Sequence, residues 1–446
     1  LGVLRLGLFQ FGLGIALAPV TGTLNRVLID DLRIPAVAVG VLIALHYFVS
    51  PVRALIGYRS DQYRAEGHWR TPYLVFGAML TYGGLACAPF ALILLGSPER
   101  MPFVLGLIIC LAMFLAYGIG VNIVETIYLA LVSDITPPKD RGRVLVVLWV
   151  MLVLGTIVSS VIVGLFLMDY NHIRLIRVMQ GTAVVFIILT VVALWGKERL
   201  RRDGMVAGPI DGIRVRMTLW ESIRMLARQR VVSGLFAVLS IATLAFATHD
   251  VLLEPYGAQV LQMSVAATTQ LTALWGVAML VAIATAGIWL WRGRSAVALI
   301  SLGCFVGALG FLTISYASDA ALVTPFRAGV GLIGMGRGMF LVGSIALIMS
   351  MTDRGHAGLF IGVWGVAQAL AQGFGTIGGG LARDIAQAQT GSVALGYTVV
   401  YTASLACLAV ALVALIVLQR NREFRAGTTQ SPWDGLRDLP GDQMIA

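Results

Sequence analysis

The stretch HDVLLEPYG, residues 249–257, sets His249, Asp250 and Glu254 at the end of a strongly apolar run. An imidazole can exchange a proton near neutral pH or ligate a metal, and a carboxylate can pair a cation or bind a hard ion. Such groups are costly in apolar surroundings, which makes each a functional candidate by default. The other ionisable residues inside apolar runs are Arg26, His46, Arg53, Glu125, Arg327 and Arg337, with Asn25 and Asn122 as polar neighbours. His68, His172 and His356 fall in connecting segments. The chain contains no P-loop, H-E-x-x-H, G-x-S-x-G or strand-borne GxGxxG, and no aspartate-rich pair of diphosphate-binding motifs. No catalytic residue and no resident metal site are therefore expected, and the chain reads as a non-enzyme.

The elements that carry these residues are membrane spans. Of 446 residues, 58% are hydrophobic and only 12% charged, more apolar surface than a water-soluble domain can hide. Twelve segments are long enough to cross a bilayer: 4–28, 36–57, 72–95, 102–132, 143–168, 173–195, 231–253, 266–290, 296–316, 323–350, 357–382 and 394–418. Pro255 reads as the residue that ends the seventh. The net charge of +10 does not point to nucleic acid, because the arginines concentrate in the connections on one side. By the positive-inside rule both termini are cytoplasmic. Cys87, Cys110, Cys304 and Cys407 lie within apolar runs without metal or disulfide spacing. The chain starts on Leu, so a short preceding stretch is expected, and no cleavable signal peptide is evident.

The long connection 196–230 divides the chain into a six-span half at 1–195 and another at 231–420, followed by a polar cytoplasmic tail at 421–446. Within that connection TLWESIRMLARQR reads as an amphipathic helix at the cytoplasmic interface. The halves repeat each other. GIGVNIVETIYLALVSDITPPKDRG (118–142) aligns with GMGRGMFLVGSIALIMSMTDRG (334–355), and NRVLID (25–30) lies over HDVLLE (249–254). Two pseudo-symmetric six-helix halves related by a parallel repeat describe a major facilitator-type fold, an all-α polytopic membrane protein. Between spans two and three, Gly57 and Asp61 have the spacing of the facilitator G-x-x-x-D motif, followed by Arg64 and Arg70, a cytoplasmic gating latch.

The duplication suggests partners for the buried charges. It sets Arg26 opposite Asp250 and the carboxylate of Asp30 opposite that of Glu254, near the periplasmic ends of equivalent helices. Arg26 and Asp250 then pair across the halves, or each bonds locally within its own half. Glu125 and Arg337 differ by about one turn on equivalent spans and form a second candidate pair, with a ligand contact as the other reading. As a titratable group within a span, Glu125 would also serve a proton-coupled transporter, the second functional class considered.

RLGLFQFGLGIAL (5–17), GTLNRVLI (22–29), PVRALIGYRSDQYR (51–64), WRTPY (69–73) and DVLLEPYGAQVL (250–261) resemble the PucC/LhaA family of light-harvesting complex assembly proteins of photosynthetic bacteria. The resemblance runs through both halves. It implies a multi-pass protein of the inner or intracytoplasmic photosynthetic membrane that binds or hands over bacteriochlorophyll, with carotenoid or lipid as further ligands. The implied partners are antenna α and β polypeptides and the reaction centre–antenna complex, then pigment-synthesis enzymes and the membrane insertion machinery. Service to the core antenna is expected over the peripheral one. His46 and His249 become candidate magnesium ligands, although a membrane histidine also serves as a helix-packing hydrogen bonder. Asn122, Trp149, Trp275 and Trp364 are candidates for the pigment groove, and the small-residue face GFGTIGGG (373–380) is a candidate surface for antenna helices.

Overall fold

The computed structural model describes residues 2–50, 70–95, 102–136, 141–195, 230–320, 322–350 and 357–420. Gly57, Asp61, Arg64 and Arg53, the amphipathic segment before Arg230 and the tail after Arg420 lie outside the described residues. So do Asp353, Arg354 and Gly355 of the internal repeat.

The described chain is helical throughout. In order the helices are α1 (Gly2–Thr21), α2 (Thr23–Arg26), α3 (Ala36–Phe48), α4 (Thr71–Leu95), α5 (Phe103–Ile135), α6 (Arg141–Phe166) and α7 (His172–Leu194). They continue as α8 (Arg230–Ala247), α9 (Leu253–Gln259), α10 (Val265–Trp291), α11 (Ala296–Ala320), α12 (Val323–Ser350), α13 (Ala357–Thr390) and α14 (Val393–Gln419). Among the described residues nine helical segments are long and apolar enough to cross a membrane, and Ala36–Phe48 and Val232–Ala247 are shorter apolar helices. Large apolar side chains such as Val104, Phe166, Ile188 and Val413 stay exposed along them, as the hydrocarbon of a bilayer allows.

Packing separates the chain into two compact units. The first takes in the described residues of Leu1–Ile213 with His249–Gly276 and Thr376–Tyr397. The second takes in those of Arg214–Thr248, Val277–Gly375 and Thr398–Ala446. In the first unit α1 packs on α6 and α7, α4 on α5 and α7, and α3 on α5. Phe9 anchors this core, stacked on Tyr128 at 3.9 Å and tilted against Phe186. In the second unit α11 lies along α12, and Phe246 meets Phe311 and Phe340 in an aromatic core that Tyr401 completes.

Two helices are interrupted where the sequence is duplicated. After Thr21 the chain loosens at Gly22, rewinds as α2, and then widens into a π-helical turn over Val27–Asp31. After Ala247 it leaves the helix over 248–252 and resumes as α9. Pro255 therefore does not end a span. It sits in the first turn of α9, where its missing N–H costs no intrahelical hydrogen bond. Broken helices at membrane depth are tolerated where the freed backbone is buried in protein, and residues 251–258 are all buried.

Candidate functional site: two interrupted helices and their polar contacts

The two interrupted segments pack on each other inside the first unit. Thr23 and Thr269 share a hydroxyl hydrogen bond of 3.0 Å, and the Asn25 amide donates to the Asp250 carbonyl at 3.2 Å. Gly22 sits so close to the Glu254 carboxylate that a Cβ there would collide with Oε1. Here a glycine is needed for close approach rather than for backbone freedom.

Arg26 is buried, and its own chain supplies the counter-charges. Its guanidinium lies 3.4 Å from Asp30, one turn on, and 3.7 Å from Asp31, and it reaches the Met263 carbonyl at 3.5 Å. The π turn brings two successive carboxylates within reach of one arginine, a geometry that a regular α-helix gives only to the residue one turn away. Nearby, burial pushes the Tyr170 phenol above its ordinary value, and its hydrogen bond to the Asp31 carboxylate adds to the shift. It stays a neutral donor there.

The second segment is arranged differently. His249 is buried with Nε2 3.6 Å from the Asp250 carboxylate. Glu254 is 3% exposed, and its Oε1 accepts from the Thr272 hydroxyl at 2.8 Å. Its Oε2 has no hydrogen-bond partner among the described residues.

At the end of α9, Gln259 ties this segment to α13. Its Oε1 accepts from Arg383 at 2.7 Å and from the Tyr397 hydroxyl at 2.8 Å, while its amide donates to the Ile29 carbonyl. Arg383 also pairs with Asp384 at 2.9 Å and lies 5.0 Å from the Tyr397 ring centroid. Asp384 in turn accepts from the Val37 backbone N–H and caps the start of α3. A cavity of about 720 Å³, lined by Asp30, Arg33, Gln262, Arg383, Asp384 and Gln387 among others, opens beside this network. The sequence reading did not single out Gln259, Arg383 or Asp384. Arg383 falls one residue beyond the expected span, and charges at span ends carry little signal.

His46 lies on α3, half-buried, with Nδ1 2.7 Å from the Ile43 carbonyl. An Nδ1–H donated there leaves the lone pair on Nε2, the tautomer a magnesium ligand requires. The backbone of His46 is seated on α5: Asn122 donates to its carbonyl at 2.8 Å, and a Cβ at Gly118 would stand 2.9 Å from its Cα. Asn122 is thus a clamp between helices, its amide shared with the Gly118 carbonyl. The cavity beside the His46 ring measures about 10 Å³, space for one water at most.

The remaining sequence candidates belong to both units. Trp149 is 44% exposed on α6, Trp275 is half-buried on α10, and Trp364 is buried on α13, edge-on to Phe236 at 5.9 Å. Trp364 lies in the second unit and the other two in the first. Glu125 and Arg337 are each half-buried, one in each unit; Arg327 is exposed on α12, and Arg70 is buried just before α4. Two glycines of 373–380 are engaged internally, whereas a Cβ at Gly378 would meet nothing within 4 Å. Gly375 packs on Leu244 and Ala247 in the second unit, and Gly380 packs on Ala36 and Val37 in the first. Small residues there serve close packing within the chain, so the stripe as a whole is not an open docking face.

The family model described as PUCC protein matches residues 23–423. The chain belongs to this family. It is 38% identical over 428 residues to an uncharacterized protein in the puhA-bchM intergenic region of Rhodobacter capsulatus, covering 94% of this chain and 89% of that one. It is 38% identical over 390 residues to Protein PucC of Rhodovulum sulfidophilum, covering 86% and 85%. A bacteriochlorophyll synthase 44.5 kDa chain of Rhodobacter capsulatus is 30% identical, covering 86% and 88%. Solved structures with the same fold include a bacterial homolog of the lysosomal transporter Spinster, with TM-score 0.69, 11% identity and coverage of 94% and 96%. The nucleoside transporter NupG matches with TM-score 0.67, 12% identity and coverage of 94% and 100%. The fold is of the major facilitator type, and the PUCC chain is a multi-pass protein of the bacterial inner membrane. Family membership supports a role in light-harvesting complex assembly and involvement in the photosynthetic apparatus.

Proposed function

We propose that this PUCC chain is a non-enzymatic assembly factor for the core antenna around the reaction centre, receiving bacteriochlorophyll and docking the antenna α and β polypeptides. Family membership over nearly the whole chain carries this reading. The pigment part rests on His46, a half-buried imidazole of a chemistry that can ligate magnesium. Bacteriochlorophyll would supply light absorption and a magnesium, which the His46 imidazole would hold. The 10 Å³ cavity beside His46 is too small for a macrocycle, so it would not be the pigment's seat. His249 does not fit the same role, being 2% exposed and turned to Asp250. Trp364, enclosed against Phe236, does not fit a pigment groove either.

A second reading, a transporter moving a pigment or amphiphile by alternating access, is favoured by the facilitator fold alone. Against it stands the polar bonding of Gln259 to Arg383, Tyr397 and the Ile29 carbonyl, which suits a braced scaffold better than a moving gate. The test is the absorption spectrum of membranes from a photosynthetic host with its own copy deleted, with and without this gene. Selective loss of the core antenna band on deletion, restored by the gene, is the expected result. An unchanged core band would refute the proposal, and loss confined to the peripheral band would reassign the antenna.

A further inference from the structure

A second recess lies apart from the polar contacts. It is a groove of about 480 Å³ between α1, α6 and α7 in the first unit. Its wall is apolar along Val158, Ile162, Val178 and Val185, and at one end it carries Arg174 and Arg177. That end is where the candidate spans Val146–Phe166 and His172–Leu194 are joined, so the arginines sit in the first two turns of the second span and the apolar wall runs further along it. From Arg174 to Val185 is about 16 Å of helix, a depth that suits an extended acyl chain.

We infer that this groove holds an anionic phospholipid of the surrounding bilayer, its headgroup against Arg174 and Arg177 and its acyl chain along the apolar wall. Three observations carry it. Arg177 is exposed and has no acceptor among the described residues. Arg174 uses one guanidinium nitrogen, Nη1, on Asp169, at 2.9 Å to its backbone carbonyl and 3.2 Å to a carboxylate that is 92% exposed and screened by water, which leaves Nη2 for a phosphate. Within the groove, Ser159 donates to the Ile15 carbonyl and Thr182 to the Met179 carbonyl, so both hydroxyls are spent inside the protein. Both residues are buried, so the accessible lining is apolar apart from the arginines, which favours an acyl chain with a charged headgroup. Gly181 forms part of the wall, and a Cβ there would meet nothing within 4 Å.

The experiment is native mass spectrometry of the purified chain, stripped of lipid and then offered phosphatidylglycerol or phosphatidylcholine with matched acyl chains. The wild type is expected to retain one phosphatidylglycerol in preference to phosphatidylcholine. Arg177→Gln should weaken that preference about five-fold, the contribution of one arginine near a membrane surface. Gly181→Leu, whose side chain fills the groove, should reduce retention of both lipids. Equal retention of the two lipids by the wild type, or an unchanged preference in Arg177→Gln, would overturn the inference. So would a bacteriochlorophyll band that Gly181→Leu removes while lipid retention stays intact. Should Gly181→Leu fail to fold, the exposed Arg177 variant decides the question alone.

Discussion

The segments 22–31 and 248–259 descend from the same internal repeat and use the same backbone device, an interrupted helix, yet they treat charge in opposite ways. In the first, Arg26 meets Asp30 and Asp31 within its own turn, and the charge is balanced locally. In the second, Glu254 is more deeply buried, accepts one hydrogen bond from Thr272, and keeps one oxygen without a hydrogen-bond partner among the described residues. The two segments therefore share the place where a helix breaks but not what the break carries. The first segment is an electrostatic knot, and the second is a packing surface with a carboxylate enclosed in it.

Three substitutions would break or sharpen that contrast. The largest effect is expected from Arg26→Ala, which leaves Asp30 and Asp31 facing each other without their cation. Loss of one partner from a buried ion pair costs about 3–5 kcal/mol, and the lower end applies because both carboxylates reach solvent. Denaturant unfolding in detergent micelles would measure it, and a cost below about 1 kcal/mol would show the knot to be unimportant. Gly22→Ala comes next, at about 2 kcal/mol, since its Cβ displaces the Glu254 carboxylate from its seat. The same unfolding assay, combined with Glu254→Ala, should show that the double variant loses less than the sum of the two. Glu254→Gln should have the smallest effect, within about 1 kcal/mol, because the amide oxygen still accepts from Thr272 and the side chain keeps its shape. A loss as large as that of Arg26→Ala would mean the two segments share one electrostatic unit.

Much of this arrangement was legible in the sequence, through the apolar runs and the pairing of NRVLID with HDVLLE. The break over 248–252 was not, because Pro255 drew attention to a span end, whereas it stands inside the helix that follows. Nor was the local pairing of Arg26 decidable. Whether Asp31 reaches an arginine five residues before it depends on a π turn, which leaves no periodic signature. Gln259 looked like an ordinary polar residue near a loop, but it organises Arg383 and Tyr397 from a position far away in sequence. The glycine stripe 373–380 announced close packing without naming the neighbour, which for Gly375 and Gly380 proved to be the chain itself. Long-range polar partners and the identity of packed neighbours are tertiary facts that local pattern cannot hold.

The central claim is that the chain receives bacteriochlorophyll through His46 and not through the buried His249. The most direct test is the near-infrared absorption of the purified protein, taken from pigmented membranes and freed of antenna polypeptides, for the wild type, His46→Ala and His249→Gln. The account predicts a red-shifted bacteriochlorophyll band at fixed stoichiometry that His46→Ala removes and His249→Gln retains. A pigment-free wild type, or a band indifferent to His46→Ala, would contradict it.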